Sequence, residues 1–358
     1  MKVLVATDFL FHIILVVTVK IPCARGQRGL LNMKYKVAIY CDKLYAGDIL
    51  WGFTAAGHDA QIITPTSIEN FDKLMELINP DLLILSSYMG YFQHSMLNHI
   101  GSRNSPNYKC VCWDTEGVGQ YVLQMTGFEL SKPDMVFSIC PEMLEKLKSK
   151  SIPCERLDFA YNPTIHYPKS ISENENNTIS LVGNAWLWYS SHYPEHFRYS
   201  KAIPIILKPL IENNYKIDFY GTTEYKQVIK NFLNLDVPIE WFKGTIPYEK
   251  TCDIYNNSFI NLITQNHDQT ITRRTFEILG SGGFGLTCYN TAINNMFGNS
   301  GAIAIANTSD ETLELLEYYS KNIDEYIKVR KNAVISVQNH TYKERAEEII
   351  NKIFITAS

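Results

Sequence analysis

Short, wholly apolar stretches alternating with helical patterns constrain this chain more than anything else in its sequence. Leu82-Leu83-Ile84-Leu85 is the clearest case, four aliphatic residues in a row shortly after Pro80. A strand of that kind is buried on both faces, as in a parallel sheet covered by helices. Residues 37–41, 108–113, 135–139 and 154–159 repeat the type, and 61–64 is a shorter strand. Residues 48–56, 68–78 and 141–150 have helical spacing; Gly57 ends the first and Pro80 closes the second. A polar segment, 166–177, reads as a linker. A second series follows, with strands at 179–182, 217–220, 239–242, 259–263, 284–288 and 302–305. Its helices fall at 199–213, 225–234 and 248–255, and the chain beyond Asp310 is helical. Strand–helix alternation twice over predicts an α/β protein of two doubly wound, Rossmann-like domains.

The length of 358 residues suffices for two domains with separate cores. A net charge of −4 leaves no basic footprint for nucleic acid. Of eight cysteines, Cys110 and Cys112 lie two apart on a strand, but no second pair at zinc spacing follows. Reduced, buried thiols and a cytoplasmic setting are therefore expected. Residues 1–32 hold an apolar run, 9–19, too short for a comfortable membrane span. They read as a non-native or misassigned extension ahead of Met33, with a signal or membrane anchor as rivals. Membrane association is expected only through that segment. Asparagine sequons at Asn176, Asn256, Asn307 and Asn339 are expected by chance in so asparagine-rich a chain.

The residues with most chemical content run from Arg273 to Phe284. They read as a short helix stopped at Gly282-Gly283. Helical spacing puts Arg273 and Glu277 on one face. A carboxylate there can accept hydrogen bonds from a ribose diol, and Arg273 and Arg274 can neutralise a diphosphate. A surface salt bridge is the bland alternative for such a pair. Gly183-Asn184 ends a strand and should face the ligand crevice. Gly221 and Gly244 also follow strands. Asp114 and Glu116 follow the strand 108–113 and are candidate bases or acceptor-orienting groups; for Asp114 the alternative is a helix cap. Residues 86–90 can line the same pocket. His192 and His196 have helical spacing without the adjacent glutamate of a zinc-protease motif.

Arg274-x-Phe276-Glu277, Gly282, Phe297-Gly298 and His340-Thr341-Tyr342-x-x-Arg345 occur in the order found in GT-B glycosyltransferases of group 1. The chain resembles that family, and most closely its CgeB-like, spore-protein branch. The resemblance implies a GT-B architecture. It would comprise an acceptor-side domain at 33–165, a donor-side domain at 178–338, and a helix at 339–358 packing back on the first domain. It implies a glycosyltransferase using a nucleotide-sugar donor of UDP type and a glycan or protein acceptor, with retention and without a metal or other cofactor. Arg198, then Lys201, would bind the donor diphosphate. Arg274 would do the same, Thr245 and Ile246 would contact the base, and Glu277 the ribose. Gln269 and Thr270 would approach the sugar. One departure stands out: Gln269 occupies the place of a glutamate found in many members, and glutamine cannot carry a negative charge. Two rivals follow, an inactive coat-associated protein of the same fold and a sugar-nucleotide epimerase. Asp114-Thr115-Glu116 is similar to the manganese triplet of the other glycosyltransferase fold, but the arginines make a metal unnecessary.

Overall fold

Twelve strands in two parallel sheets carry the molecule. The computed structural model describes residues 33–86, 89–102, 107–169 and 178–355, and the chain from Lys34 onward packs as one unit. The N-terminal segment 1–32, Ser87, Tyr88 and most of the linker lie outside the described residues. The first sheet holds β1 (Lys36–Cys41), β2 (Asp59–Ile62), β3 (Leu82–Ser86), β4 (Lys109–Asp114), β5 (Met135–Ser138) and β6 (Cys154–Arg156). Their spatial order is β2-β1-β3-β4-β5-β6. The second holds β7 (Ile179–Val182), β8 (Ile217–Tyr220), β9 (Phe242–Gly244), β10 (Ile260–Ile263), β11 (Gly285–Cys288) and β12 (Ala304–Ala306), in the order β12-β11-β10-β7-β8-β9. Every strand pairing is parallel. The aliphatic run of β3 is fully buried, as is β10. This is the doubly wound pair of sheets that the alternation of strands and helices implies.

In the second sheet the chain winds outward from β7 to β9, then returns to the other side of β7 at β10. The helices after β7 and β10 therefore leave in opposite directions. A crevice opens at the carboxyl ends of those two strands, where open α/β sheets bind ligands.

The chain passes between the lobes twice, and the two passes are stitched together. Tyr161 N donates to His340 O at 3.1 Å, and Tyr342 N to Tyr161 O at 3.2 Å. Arg345 clamps the carbonyls of Asp158 (2.8 Å) and Phe159 (3.1 Å). A capping box, Thr341 with Glu344, starts the helix Tyr342–Ile350. Its apolar face joins Val37, Ile49 and Phe53 in the core of the first lobe.

Among the elements that differ from the sequence expectation, three have a plain physical reason. The helix Lys43–Ala55 starts five residues before position 48, because Asp42 caps it and Gly47 is tolerated inside; such a glycine costs only about 1 kcal/mol. Residues 239–241 form a 3₁₀ turn after Pro238, leaving only Phe242–Gly244 as strand. Residues 199–213 are not one helix: a wide π-turn, Arg198–Ala202, is followed by Ile203–Ile206 and Lys208–Glu212. Pro204 and Pro209 supply no N–H to a continuous ladder. Among the described residues no helix is long and apolar enough to cross a membrane, and no disulfide joins two of the described cysteines.

The last helix reaches the first lobe through a glycine. A Cβ added at Gly52 would stand 2.3 Å from Tyr342 O. Gly52→Ala gains about 1 kcal/mol of helix propensity but forces backbone apart, at a cost of about 1–3 kcal/mol. The clash should win, and thermal unfolding should show a lower Tm for G52A; a raised Tm would contradict this contact.

Candidate functional site

Two guanidinium groups converge where the second sheet reverses its strand order. Gly183, directly after β7, has φ +144, and its missing side chain leaves room for Arg274. A Cβ there would come within 2.4 Å of Arg274 Nη2. Arg274 is half-buried and has no hydrogen-bond or ion-pair partner among the described residues. Arg198 is buried on the wide turn. Its Nε and Nη2 both donate to Asn266 Oδ1 (2.9 and 2.5 Å), and Nη1 donates to Asn184 O (2.9 Å). These partners are neutral, so they fix the group without cancelling its charge. A buried cation without a counter-ion is costly, and such a pair makes a slot for an anion.

The glycine loops beside it are knitted together. Gly221, at φ +150, lies so close to Gly183 that a Cβ would meet its carbonyl at 2.1 Å. Gly221 N donates to Gly244 O (2.9 Å), and Thr222 N to Asn184 Oδ1 (3.0 Å). Beyond Gly244, Thr245 is exposed and Ile246 half-buried on the loop leading to Tyr248. Lys201 is exposed on the far side of the sequence from Arg198 in the same wide turn.

From the first lobe, Glu116 faces this slot and Asp114 does not. Asp114 is buried, and its Oδ1 accepts from Glu116 N (3.1 Å), Gly117 N (3.1 Å) and Gln124 Nε2 (2.6 Å). Its Oδ2 accepts from Ser138 Oγ at 2.6 Å. Four donors occupy Asp114, and it braces the loop. Glu116 is pushed up to about 7 by the crowding of the cleft walls and by Asp114, while Arg198 pulls it down. Glu116 is exposed to solvent, which tempers that shift. The Arg198 influence marks the two groups as neighbours across the cleft.

The signature helix, Arg273–Gly280, starts from a fixed loop. Gln265 accepts from Thr272 N (3.0 Å) and donates to Thr275 Oγ1 (3.0 Å). Gly282, at φ +70, follows its end. Adjacent arginines diverge here. Arg274 lies over Gly183, whereas Arg273 turns to the first lobe. Its Nη1 donates to Leu44 O (2.8 Å), its Nε pairs with Glu277 Oε1 (2.8 Å), and its guanidinium sits over the rings of Tyr45 and Tyr248.

Glu277 is 3% exposed and Asp48 2%. Tyr248 Oη lies 2.8 Å from Glu277 Oε1 and 2.9 Å from Asp48 Oδ2. A phenol has one proton and can donate to only one of them. Burial would raise Glu277, but Arg273, His166 and Tyr248 together lower it. Asp48 is raised, chiefly by burial. Tyr248 can therefore serve only one of the two at a time, and Arg273 Nη1, 3.7 Å from Asp48 Oδ2, attracts the second. Asn162 Nδ2 completes Asp48 at Oδ1 (3.0 Å). Glu277 Oε2 makes no hydrogen bond among the described residues, so the carboxylate keeps one oxygen for a ligand.

Gln269 and Thr270 are not brought to the slot as sugar contacts. Gln269 is exposed and its carbonyl accepts from Arg156 Nη2 (3.4 Å). Thr270 is buried, and its carbonyl holds Asn290 Nδ2 (2.9 Å). Asp268 caps the next helix through Thr291. His192 bonds the Trp188 carbonyl. Burial and Arg198 lower His196 to about 4. The residues sequence reasoning missed are Asp48, Tyr248 and Asn266. Only Asn266, directly before the polar run 267–270, carried a local signal.

Residues 198–351 match the family described as Glycosyl transferase-like. No curated protein matches the chain. Among solved structures, sucrose-phosphate synthase from Thermosynechococcus elongatus superposes with a TM-score of 0.63 at 11% identity, over 90% of this chain and 100% of that one. HepE from Anabaena, in complex with UDP and glucose, gives 0.60 at 10%, over 89% and 100%. A glycosyltransferase from Rickettsia africae gives 0.58 at 12%, over 90% and 99%. At these identities the likeness establishes the fold, which is GT-B.

The upward shift of Asp48 is testable. An acid raised on folding contributes stability that is full below its unfolded pKa and lost as pH rises through the folded value. Asp48→Asn cannot ionise. Its stability relative to wild type should therefore rise as pH climbs through the carboxylate range. Asp48→Ala should lose about 1–3 kcal/mol. Chemical denaturation across pH checks this; equal damage by both substitutions would contradict it.

Proposed function

We propose that this protein transfers a sugar from a nucleoside-diphosphate sugar to an acceptor held by the first lobe. The carrying observation is the pair Arg198 and Arg274: two guanidinium groups that form no ion pair among the described residues, converging at the strand-order reversal of the second sheet. Their fork geometry suits a diphosphate. The UDP bound by HepE favours a uridine donor. Its phosphates would lie over Gly183 and Asn184, its ribose against Glu277 Oε2, and its base along Gly221, Gly244, Thr245 and Ile246. Lys201 would add long-range attraction. The CgeB-like assignment is part of the same proposal and rests on Arg274, Phe276, Glu277 and Gly282.

In this mechanism the arginines stabilise charge that builds on the departing diphosphate, preorganised in a crevice that excludes water. The bond from the anomeric carbon to phosphate oxygen breaks, and the acceptor hydroxyl forms the new bond. On the retaining course, the departing phosphate takes the hydroxyl proton and Glu116 orients the acceptor. One observation favours a second course. With its pKa raised toward neutrality, Glu116 suits a general base, which would invert the anomeric centre. Because the arginines neutralise the phosphates, no metal is needed for that task.

Nucleotide release from UDP-, GDP-, ADP- and dTDP-sugars tests the reading. One donor should turn over, EDTA should leave the rate unchanged, and Arg274→Ala should lower it by about a hundredfold or more. Binding without release would mark a fold retained without turnover; no binding would refute the proposal. The anomeric configuration of the product, read by NMR, decides between the two courses.

A further inference from the structure

Two indoles stand in water beside the cationic slot. Trp186 is 60% exposed and Trp188 64%. Both lie on the segment that leaves β7, directly after Gly183 and Asn184. Large apolar rings are seldom left so open without a ligand to cover them. Trp186 also has a left-handed backbone, φ 57 and ψ 71, a conformation that bulky residues avoid. Strain of this kind gathers where a site needs a side chain in one place.

The segment is built rather than loose. Tyr199 Oη donates to Ala185 O (2.6 Å) and lies 3.3 Å from Trp186 O. Arg198 Nη1 holds Asn184 O (2.9 Å), so the anion slot and the indoles share one support. Trp188 stacks on His192, with ring centroids 4.1 Å apart and planes at 26°. His192 Nδ1 in turn bonds Trp188 O at 2.8 Å. One face of the Trp188 ring is therefore backed by protein, and its exposure lies on the rest. Tyr189 carries the segment to the opposite wall, where its hydroxyl would stand 2.8 Å from a Cβ at Gly119. The indoles thus lie on the same short segment that reaches the first lobe at Gly119.

A flat, backed ring with a polar N–H is suited to the C–H face of a pyranose, whose hydroxyls lie around its edge. An anionic bilayer would call for clustered cations, yet residues 185–197 contain no Lys or Arg and include Glu195. We infer that Trp186 and Trp188 form an acceptor platform: the acceptor is a carbohydrate chain, and its sugar rings stack on these indoles while its terminal hydroxyl reaches the cleft. This deepens the transferase reading and rests on it.

The test uses the full chain, an oligosaccharide array and calorimetry with UDP. Wild type should retain a subset of glycans. Trp186→Ala and Trp188→Ala should each weaken that retention by about tenfold or more, Trp188→Phe should keep most of it, and UDP affinity should be the same in all. Undiminished glycan retention by the double alanine variant would overturn the platform. So would UDP binding by a wild type that retains no glycan, or wild type sedimenting with phosphatidylcholine–phosphatidylglycerol vesicles in place of glycans. A wild type that binds neither UDP nor glycan would overturn the transferase reading along with the platform.

Discussion

Positive charge held without a direct ion pair among the described residues is the constraint around which this cleft is arranged. Arg198 is tied down by a side-chain amide and a backbone carbonyl, and Arg274 occupies space that only a glycine at position 183 leaves open. Each arrangement spends stability to keep a cation ready. The fold puts them at the same place for a topological reason. β7 and β10 are neighbours whose following segments depart in opposite directions, so the loops 183–184 and 264–272 part there and leave a crevice.

A second polar cluster, one helical turn away, does a different job. Arg273, Glu277 and Tyr248 from the second lobe meet Asp48 and Leu44 from the first. The cluster shares one phenol and one guanidinium between two carboxyls, and it couples lobe contact to the residue expected to touch the donor. His166, from the segment between the sheets, joins its edge. Thr251 Oγ1 spends its proton on Tyr248 O (2.7 Å), so His166 Nε2 must be the donor to Thr251 (2.8 Å). Closure of the lobes and occupancy of the donor site thus share the side chain of Glu277.

The sheets were legible because parallel strands buried on both faces need continuous apolar runs, and few other environments do. The slot was legible in part. Glycine after a strand and arginine before Phe276-Glu277 are local signals, and Gly183, Arg198 and Arg274 do meet. What separates Arg273 from Arg274 is a rotation of about 100° along a helix. That rotation aims one at the phosphate slot and the other at the opposite lobe, which no local pattern reveals before the lobes are placed. Asp48 and Tyr248 are two hundred positions apart, and neither belongs to a motif. Asp114 was ambiguous for a chemical reason: a carboxylate that organises a loop and one that abstracts a proton look identical in sequence. Only its four donors distinguish them.

The central claim is that Arg198 and Arg274 grip a diphosphate. Calorimetry can isolate that grip by titrating the best-bound of UDP, GDP, ADP and dTDP against its own nucleoside. The account predicts that wild type prefers the diphosphate strongly, and that Arg198→Ala with Arg274→Ala erases the preference while leaving nucleoside affinity intact. Equal affinity for nucleoside and diphosphate in wild type, or a preference that survives both substitutions, would contradict it.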